Sequence, residues 1–206
     1  MAKAAWSTVT PASGSAGTTP VQVGGSVHTG RASRPTSPVF KIGTAASATL
    51  TGTQEAAGNI FQLAQNLAVT KEGGTALPFE GISNAQKLNV VVAGTGFTFN
   101  GLQISIDDGA TWTAKLANNI NFEGDPGVTA AYKFRILISA TANPTTATRS
   151  GTITITPTPG AALPVRTITQ AAGDAAVSIS PTSITIPADG TAQTVNVTAN
   201  ADWTVE

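Results

Sequence analysis

The sequence predicts an all-β protein of sandwich type, and three observations carry that expectation. Twenty-one glycines and 12 prolines among 206 residues divide the chain into short pieces bounded by turn signals, the pattern of β-sandwiches. Within the pieces, apolar residues alternate with Thr, Ser, Asn or Arg, so one face can be buried while the other stays wet. Helical periodicity is weak: Ile60-Phe-Gln-Leu-Ala-Gln-Asn-Leu has room for one short helix, and no longer stretch qualifies.

The elements follow in chain order. Pro38-Val-Phe-Lys-Ile and Leu50-Thr-Gly-Thr-Gln belong to a blurred copy of a later strand phrase, and Leu88-Asn-Val-Val-Val-Ala reads as a short apolar strand in the middle. Gly151-Thr-Ile-Thr-Ile-Thr and Val165-Arg-Thr-Ile-Thr-Gln are strands joined by a Pro/Gly turn. Val177-Ser-Ile-Ser, Ser183-Ile-Thr-Ile and Thr194-Val-Asn-Val-Thr alternate in the same way near the C-terminal end.

Composition excludes several function classes. Eleven Lys+Arg cancel 11 Asp+Glu, and charged residues make up 11% of the chain, under half of the roughly 25% typical of soluble domains. The cations are scattered singly, with no basic stripe to exchange counterions with a phosphate backbone or an anionic bilayer. No nucleic-acid partner and no membrane partner are expected, and no apolar run approaches the roughly 18 residues of a membrane span. With no cysteine and one histidine, His28, disulfides, thiol nucleophiles and the common zinc constellations are excluded. The first residues, Met1-Ala-Lys-Ala-Ala-Trp-Ser-Thr, show no apolar stretch of secretory type, so synthesis and retention in a host cytoplasm are expected.

An internal repeat organises the chain. Arg149-Ser-Gly-Thr-Ile-Thr-Ile-Thr leads through a turn to Thr167-Ile-Thr-Gln-Ala-Ala-Gly, and a blurred copy runs from Arg34 through Pro38-Val-Phe-Lys-Ile to Leu50-Thr-Gly-Thr-Gln-Glu-Ala-Ala-Gly. Both copies close on Thr-Gln followed by small residues. The boundaries read as 1–58, 59–174 and 175–206, and only the middle piece has the roughly 100 residues of a complete sandwich.

Val177-Ser-Ile-Ser-Pro-Thr-Ser-Ile-Thr-Ile-Pro-Ala-Asp-Gly-Thr-Ala-Gln-Thr-Val-Asn-Val-Thr-Ala-Asn-Ala-Asp-Trp-Thr-Val resembles the opening of a BACON domain, an immunoglobulin-like module of Bacteroidetes and their phages. The later phrase of that family, a second Trp followed by Thr-Val-Ser-Pro-x-Ser-Gly, is similar to Ala5-Trp6-Ser-Thr-Val-Thr-Pro-Ala-Ser-Gly14. The resemblance implies immunoglobulin-like β-sandwich modules, one complete in the centre and a half-module on either side. At one place the chain departs from the family pattern: Arg31-Ala-Ser-Arg34-Pro stands where an Arg-x-Gly-Thr strand is expected.

A 30-residue piece lies below the roughly 40 residues that hold a core without disulfide or metal. The N-terminal piece, lacking its leading strands, is expected to show open strand edges and an apolar face. Each half supplies what the other lacks. An odd-stranded sandwich sends its two ends out of opposite poles, roughly 20 to 30 Å apart, which favours completion between neighbouring molecules by strand donation. Folding of the C-terminal arm back onto its own chain is the alternative. The residues expected to pack across such a contact are Trp6, Val177, Ile179, Ile184, Ile186, Val195, Val197, Trp203 and Val205.

Ser105-Ile-Asp107-Asp-Gly109-Ala-Thr111-Trp112 matches the Asp-box pattern S-x-D-x-G-x-T-W of sialidases and other carbohydrate-active proteins. Asp107 can accept backbone N–H groups in the turn, Gly109 supplies positive φ, and Trp112 returns onto the hairpin; a structural staple is expected. Trp6 and Trp203 could stack on sugars, but core packing is the stronger expectation. Catalysis has little support: Asp107-Asp108, Glu123 with Asp125, and Lys71-Glu72 read as solvated turn charges, and His28 has no nucleophile elbow beside it. Gly24-Gly25 and Gly94-Thr-Gly96 lack the setting of phosphate loops. No enzyme, cofactor or metal is expected.

The expected function is that of a virion structural protein resembling those of Bacteroides-infecting crAss-like phages. Within the virion the expectation is an auxiliary or decoration protein of the capsid, with copies of itself and other capsid proteins as partners. The alternatives are a carbohydrate-binding module at a surface, with glycans as partners, or a head-fibre or tail component.

Overall fold

The structure, a computed structural model, describes residues 3–44, 47–115 and 121–206. In chain order the strands are β1 (Ser7–Thr10), β2 (Gln22–Gly25), β3 (Arg34–Thr36), β4 (Val39–Lys41), β5 (Ser47–Thr49), β6 (Gly52–Gln54), β7 (Phe61–Leu63), β8 (Leu67–Val69) and β9 (Gly74–Ser83). They continue with β10 (Lys87–Ala93), β11 (Phe97–Ser105), β12 (Thr113–Lys115), β13 (Tyr132–Ala140), β14 (Arg149–Thr158), β15 (Arg166–Gln170), β16 (Val177–Ser180) and β17 (Asn196–Ala199). One 3-10 turn, Pro126–Val128, interrupts the series. The fold is all-β.

Residues 61–170 build a sandwich from two sheets, one in the order β10-β14-β15-β8 and one in the order β12-β11-β13-β9-β7. The leading segment is shared between them: β7 pairs with β9, and β8 then crosses to run parallel to β15. Strand β13 alternates cleanly, with Tyr132, Phe134, Ile136, Ile138 and Ala140 buried and the residues between them less so, because a period of two places every second side chain on one face. Those side chains meet Leu88, Val90, Ile153, Ile155 and Ile168 of the opposite sheet in a single core. Each fully buried Leu, Ile or Phe in it contributes roughly 1.5–3 kcal/mol of transfer free energy. Among the described residues, every buried hydrophobic side chain lies between Val69 and Ile168.

The N-terminal region has strands without such a core. Among the described residues strand β1 pairs only with β2, β3 with β6, and β4 with β5, and Val23, Phe40 and Leu50 stand exposed. The buried polar side chains of Ser7 and Thr36 satisfy each other through a 2.8 Å hydroxyl–hydroxyl bond. The arm is a lone hairpin in which β16 and β17 pair Val177 with Ala199 and Ile179 with Val197.

Residues 60–67, with room for one short helix at most, form none; Phe61–Leu63 is a strand, because the free edge of β9 offers backbone partners opposite Phe61 and Leu63 and tertiary pairing overrides a weak local preference. The strand expected at Ser183-Ile-Thr-Ile does not form, because among the described residues no strand of the same chain lies beside it to pair with.

Candidate functional site: two incomplete modules and their junctions

A polar cluster ties the last strands of the middle module together. Arg149 on β14 stands opposite Gln170 on β15. Its Nε donates to Gln170 Oε1 at 2.6 Å, and its Nη2 donates to the Thr141 carbonyl at 2.5 Å and hydroxyl at 3.0 Å. Gln170 Nε2 donates to the same carbonyl at 2.9 Å. The guanidinium lies over the Phe97 ring, 5.4 Å from its centroid.

The N-terminal region repeats the cluster bond for bond. Arg34 on β3 stands opposite Gln54 on β6, its Nε donating to Gln54 Oε1 at 2.8 Å. Its Nη2 donates to the Ser26 carbonyl at 2.9 Å and hydroxyl at 3.2 Å. Gln54 Nε2 donates to the Ser26 carbonyl at 3.0 Å, and the guanidinium lies 4.3 Å from the Trp6 ring centroid. The departure from the Arg-x-Gly-Thr pattern is thereby resolved: Arg34 takes the place of Arg149, and Arg31 does other work.

That work is at a junction. Asn84 follows β9; its Oδ1 accepts from Ile60 N at 2.9 Å, and its Nδ2 donates to the Gly58 and Thr29 carbonyls at 2.9 and 3.1 Å. Arg31 donates to the Asn84 carbonyl at 2.5 Å and pairs with Asp125. A second junction has the same plan. Asn200 follows β17; its Oδ1 accepts from Ala176 N at 2.8 Å, and its Nδ2 donates to the Asp174 and Pro144 carbonyls, each at 2.8 Å. The bond from Ala57 N to the Gly30 carbonyl recurs from Gly173 N to the Thr145 carbonyl. His28, whose Nε2 donates to the Ala32 carbonyl at 2.6 Å, stands where Asn143 donates to Ala147 at 2.9 Å. Thr29 and Pro144 are 115 residues apart, and Asn84 and Asn200 are 116 apart. The chain is a tandem array with two like junctions.

The arm also repeats the leading segment of the middle module. After β8, Gly73 has φ +78° and its N–H donates to the Thr70 carbonyl at 3.1 Å; in the arm, Gly190 has φ +77° and donates to the Pro187 carbonyl at 2.9 Å. Aligning these turns sets Ile184 and Ile186 in the places of Leu67 and Val69. Val69 is 7% exposed in the core, whereas Ile186 is 64% exposed. Of the residues expected at an intersubunit contact, Val177, Ile179, Ile184, Ile186, Trp203 and Val205 are exposed, Val195 and Val197 are half-buried, and Trp6 is half-buried beneath Arg34. No strand pairing among the described residues joins the arm to the N-terminal region.

The Asp-box residues close on one another. Ser105 Oγ donates to Asp107 Oδ1 at 2.6 Å, Gly109 N to Ser105 Oγ at 2.8 Å, and Thr111 reaches Asp107 through its N–H at 2.9 Å and its hydroxyl at 2.5 Å. These hydrogen bonds, that of Ser105 foremost, push the Asp107 carboxyl down to about 2. Gly109 has φ +95°, and the Trp112 ring carries the Arg135 guanidinium 4.3 Å from its centroid. A cavity of about 500 Å³ beside the hairpin is lined by Ile104, Ile106, Thr111 and Pro126, with Glu123 its one ionisable residue among those described.

Of the turn charges expected to be solvated, Asp108 and Lys71 stay in contact with solvent although Lys133 and Asp174 pair with them, whereas Asp125 is drawn partly out of solvent by Arg31. The reason is tertiary, since Arg31 comes from a distant loop. Among the described residues no group of three or more His, Asp or Glu side chains is placed to hold a metal ion. Sequence reasoning set Arg34 and Thr53-Gln54 against Arg149 and Thr169-Gln170 through the repeat but missed the bonds that join them, and it missed the two asparagines, whose signal was the Asn-Ala dipeptide recurring at 84 and 200.

No family model matches the chain, and no curated protein matches it. Among solved structures, one that it resembles is the collagen-binding domain of the Erysipelothrix rhusiopathiae surface protein RspB, with 6% identity over 75% of this chain and a TM-score of 0.23. The match covers 64% of that domain, and at this level it supports no transfer of function.

Proposed function

We propose that the chain is a non-catalytic structural protein whose incomplete modules join copies of it, and that it serves in a virion as an auxiliary or decoration protein of the capsid. The observation that carries the joining is the repeat itself. The arm holds the leading segment of a module with its apolar residues exposed, and the N-terminal region holds the trailing strands with one edge of β6 unpaired among the described residues. The virion setting rests on the resemblance of residues 177–205 to BACON modules together with the near-absence of net charge and of any catalytic constellation.

Carbohydrate binding is the second reading, favoured by the exposed Trp203. The Asp box lends it less, because both Asp107 oxygens accept bonds from within the hairpin and Arg135 covers Trp112. Sedimentation over a range of concentrations tests the first reading. The chain is expected to form oligomers that grow with concentration, a variant lacking residues 176–206 to stay monomeric, and the protein to co-purify with virions. A monomer at every concentration would refute the joining, and binding on a glycan array that Trp203→Ala abolishes would favour the second reading.

A further inference from the structure

We infer that the open edge of β6 receives residues 183–187 of a second copy as a parallel strand, with Gly52 opposite Ile184, Thr53 opposite Thr185 and Gln54 opposite Ile186. The inference rests on the reading that copies join, and it specifies which segment docks, where and in what register.

The template lies within the chain. In the middle module β15 is flanked on one side by β14 and on the other by β8, parallel, with Ile168 opposite Leu67, Thr169 opposite Ala68 and Gln170 opposite Val69. Past the strand end, Ala171 N donates to the Val69 carbonyl at 3.0 Å, and Gln170 Nε2 reaches the Thr70 and Lys71 carbonyls at 2.9 and 3.3 Å. Strand β6 has the counterpart of β14, namely β3, and among the described residues no counterpart of β8. The segment matching β8 is residues 183–187 of the arm, which lies in no strand pair. Seated on β6, its Pro187 and Ala188 carbonyls come to the Gln54 amide as those of Thr70 and Lys71 come to Gln170.

Side-chain sizes agree with this occupant. A groove of about 360 Å³ runs beside β6, lined by Trp6, Val23, Thr36, Leu50 and Gly52. Gly52 stands where the middle module has the fully buried Ile168, so room is left for larger residues from the incoming strand, and Ile186 is larger than the Val69 it would match. Burial of these exposed isoleucines in an apolar groove supplies the driving force.

The occupant comes from another copy because of where the two junctions sit. Asn84, which holds the N-terminal region, follows the C-terminal end of β9, and Pro144, which Asn200 of the arm grips, follows that of β13. Strands β9 and β13 are antiparallel neighbours of 10 and 9 residues, so those ends lie at opposite poles, about 30 Å apart at roughly 3.3 Å per residue. Arm and acceptor edge therefore face away from each other, and the contact is head to tail.

The chain has no cysteine, so two full-length single-cysteine variants of different tag mass, Thr53→Cys and Thr185→Cys, can be mixed under mild oxidation. Neighbouring strands bring such residues within disulfide reach. The mixed disulfide is expected to form about tenfold or more faster than with Thr191→Cys as the partner, since seating raises effective concentration. Ile186→Asp, at a site exposed in the single chain, should abolish association and leave the thermal midpoint of the middle module unchanged. Oligomers that cross-link equally through Thr191→Cys would overturn the register while leaving the joining intact. A double variant that closes only within one chain would overturn the second copy as occupant, and absence of oligomers at all concentrations would remove the joining itself.

Discussion

The N-terminal region and the middle module share one polar cluster and differ in what surrounds it. Arg34 and Gln54 reproduce the bonds of Arg149 and Gln170, yet Gln170 is fully buried against β8 while Gln54 faces an edge on which no described residue forms a strand. Where Phe97 covers Gly151, whose added Cβ would lie 2.6 Å from the ring, the N-terminal region has the Ser7–Thr36 hydroxyl pair. The difference teaches that hydrogen bonds of this kind set register between neighbouring strands, whereas a core closes only when the leading strands bring the opposing apolar face.

The largest effect should separate the two cores. Phe134→Ala, fully buried in the middle module, is expected to cost roughly 3–5 kcal/mol in urea unfolding, the transfer term plus the cavity left behind. Val23→Ala in the N-terminal region removes a half-exposed side chain and should cost under about 1 kcal/mol. Comparable losses at both sites would mean that the N-terminal region is already closed.

Trp203→Ala sharpens the comparison from the other side. Trp203 is 53% exposed in the single chain, so its loss should leave the thermal midpoint of the middle module in place. If it is buried when copies join, association should weaken by roughly 3 kcal/mol or more, read by sedimentation at two concentrations. A loss of midpoint independent of concentration would place its packing within its own chain.

The matched pair Gln170→Leu and Gln54→Leu follows. The first leaves the Arg149 Nε without its partner at a buried site and takes one of two donors from each of the Thr70 and Thr141 carbonyls, and should destabilise by about 1–3 kcal/mol. The second disturbs fewer groups and leaves the Arg34 Nε within reach of water, so about 1 kcal/mol or less is expected from dilute chains. If copies join through β6, the gap between the two should narrow as concentration rises.

The smallest effect concerns the Asp-box hairpin, which belongs to the middle module alone. The Asp107 carboxyl, held down to about 2 against an ordinary 3.8, favours the folded hairpin fully above the ordinary carboxylate range. That contribution is lost as pH falls through the folded value. Protection of the Gly109 and Thr111 amides, measured against the intrinsic exchange rate at each pH, should therefore fall between about pH 4 and pH 2. Asp107→Ala should show exchange roughly two- to tenfold faster already at neutral pH, the factor of one lost turn bond, and no further acid step.

Legibility followed the range of the interaction. The alternation of Gly151-Thr-Ile-Thr-Ile-Thr and the turn chemistry of Ser105–Trp112 are local, and the strands and the hairpin bonds lie where local reasoning set them. Residues 60–67, locally open to a short helix, take up a strand at Phe61–Leu63 because the free edge of β9, some 20 residues on, decided the matter. Choosing Arg34 over Arg31 needed the register of β3 against β6, and the asparagine junctions needed pairs such as Asn84 with Thr29 and Asn200 with Pro144.

By itself the sequence determined strand character, the positions of turns, the lack of thiol chemistry and the existence of a blurred repeat, because each depends on residue type and short spacing. Only the tertiary structure decided which copy of the repeat owns a core, which edge stays open and where the modules grip one another. Those depend on which strands meet across the fold, and a period-two pattern specifies a face to bury without naming the face that will cover it.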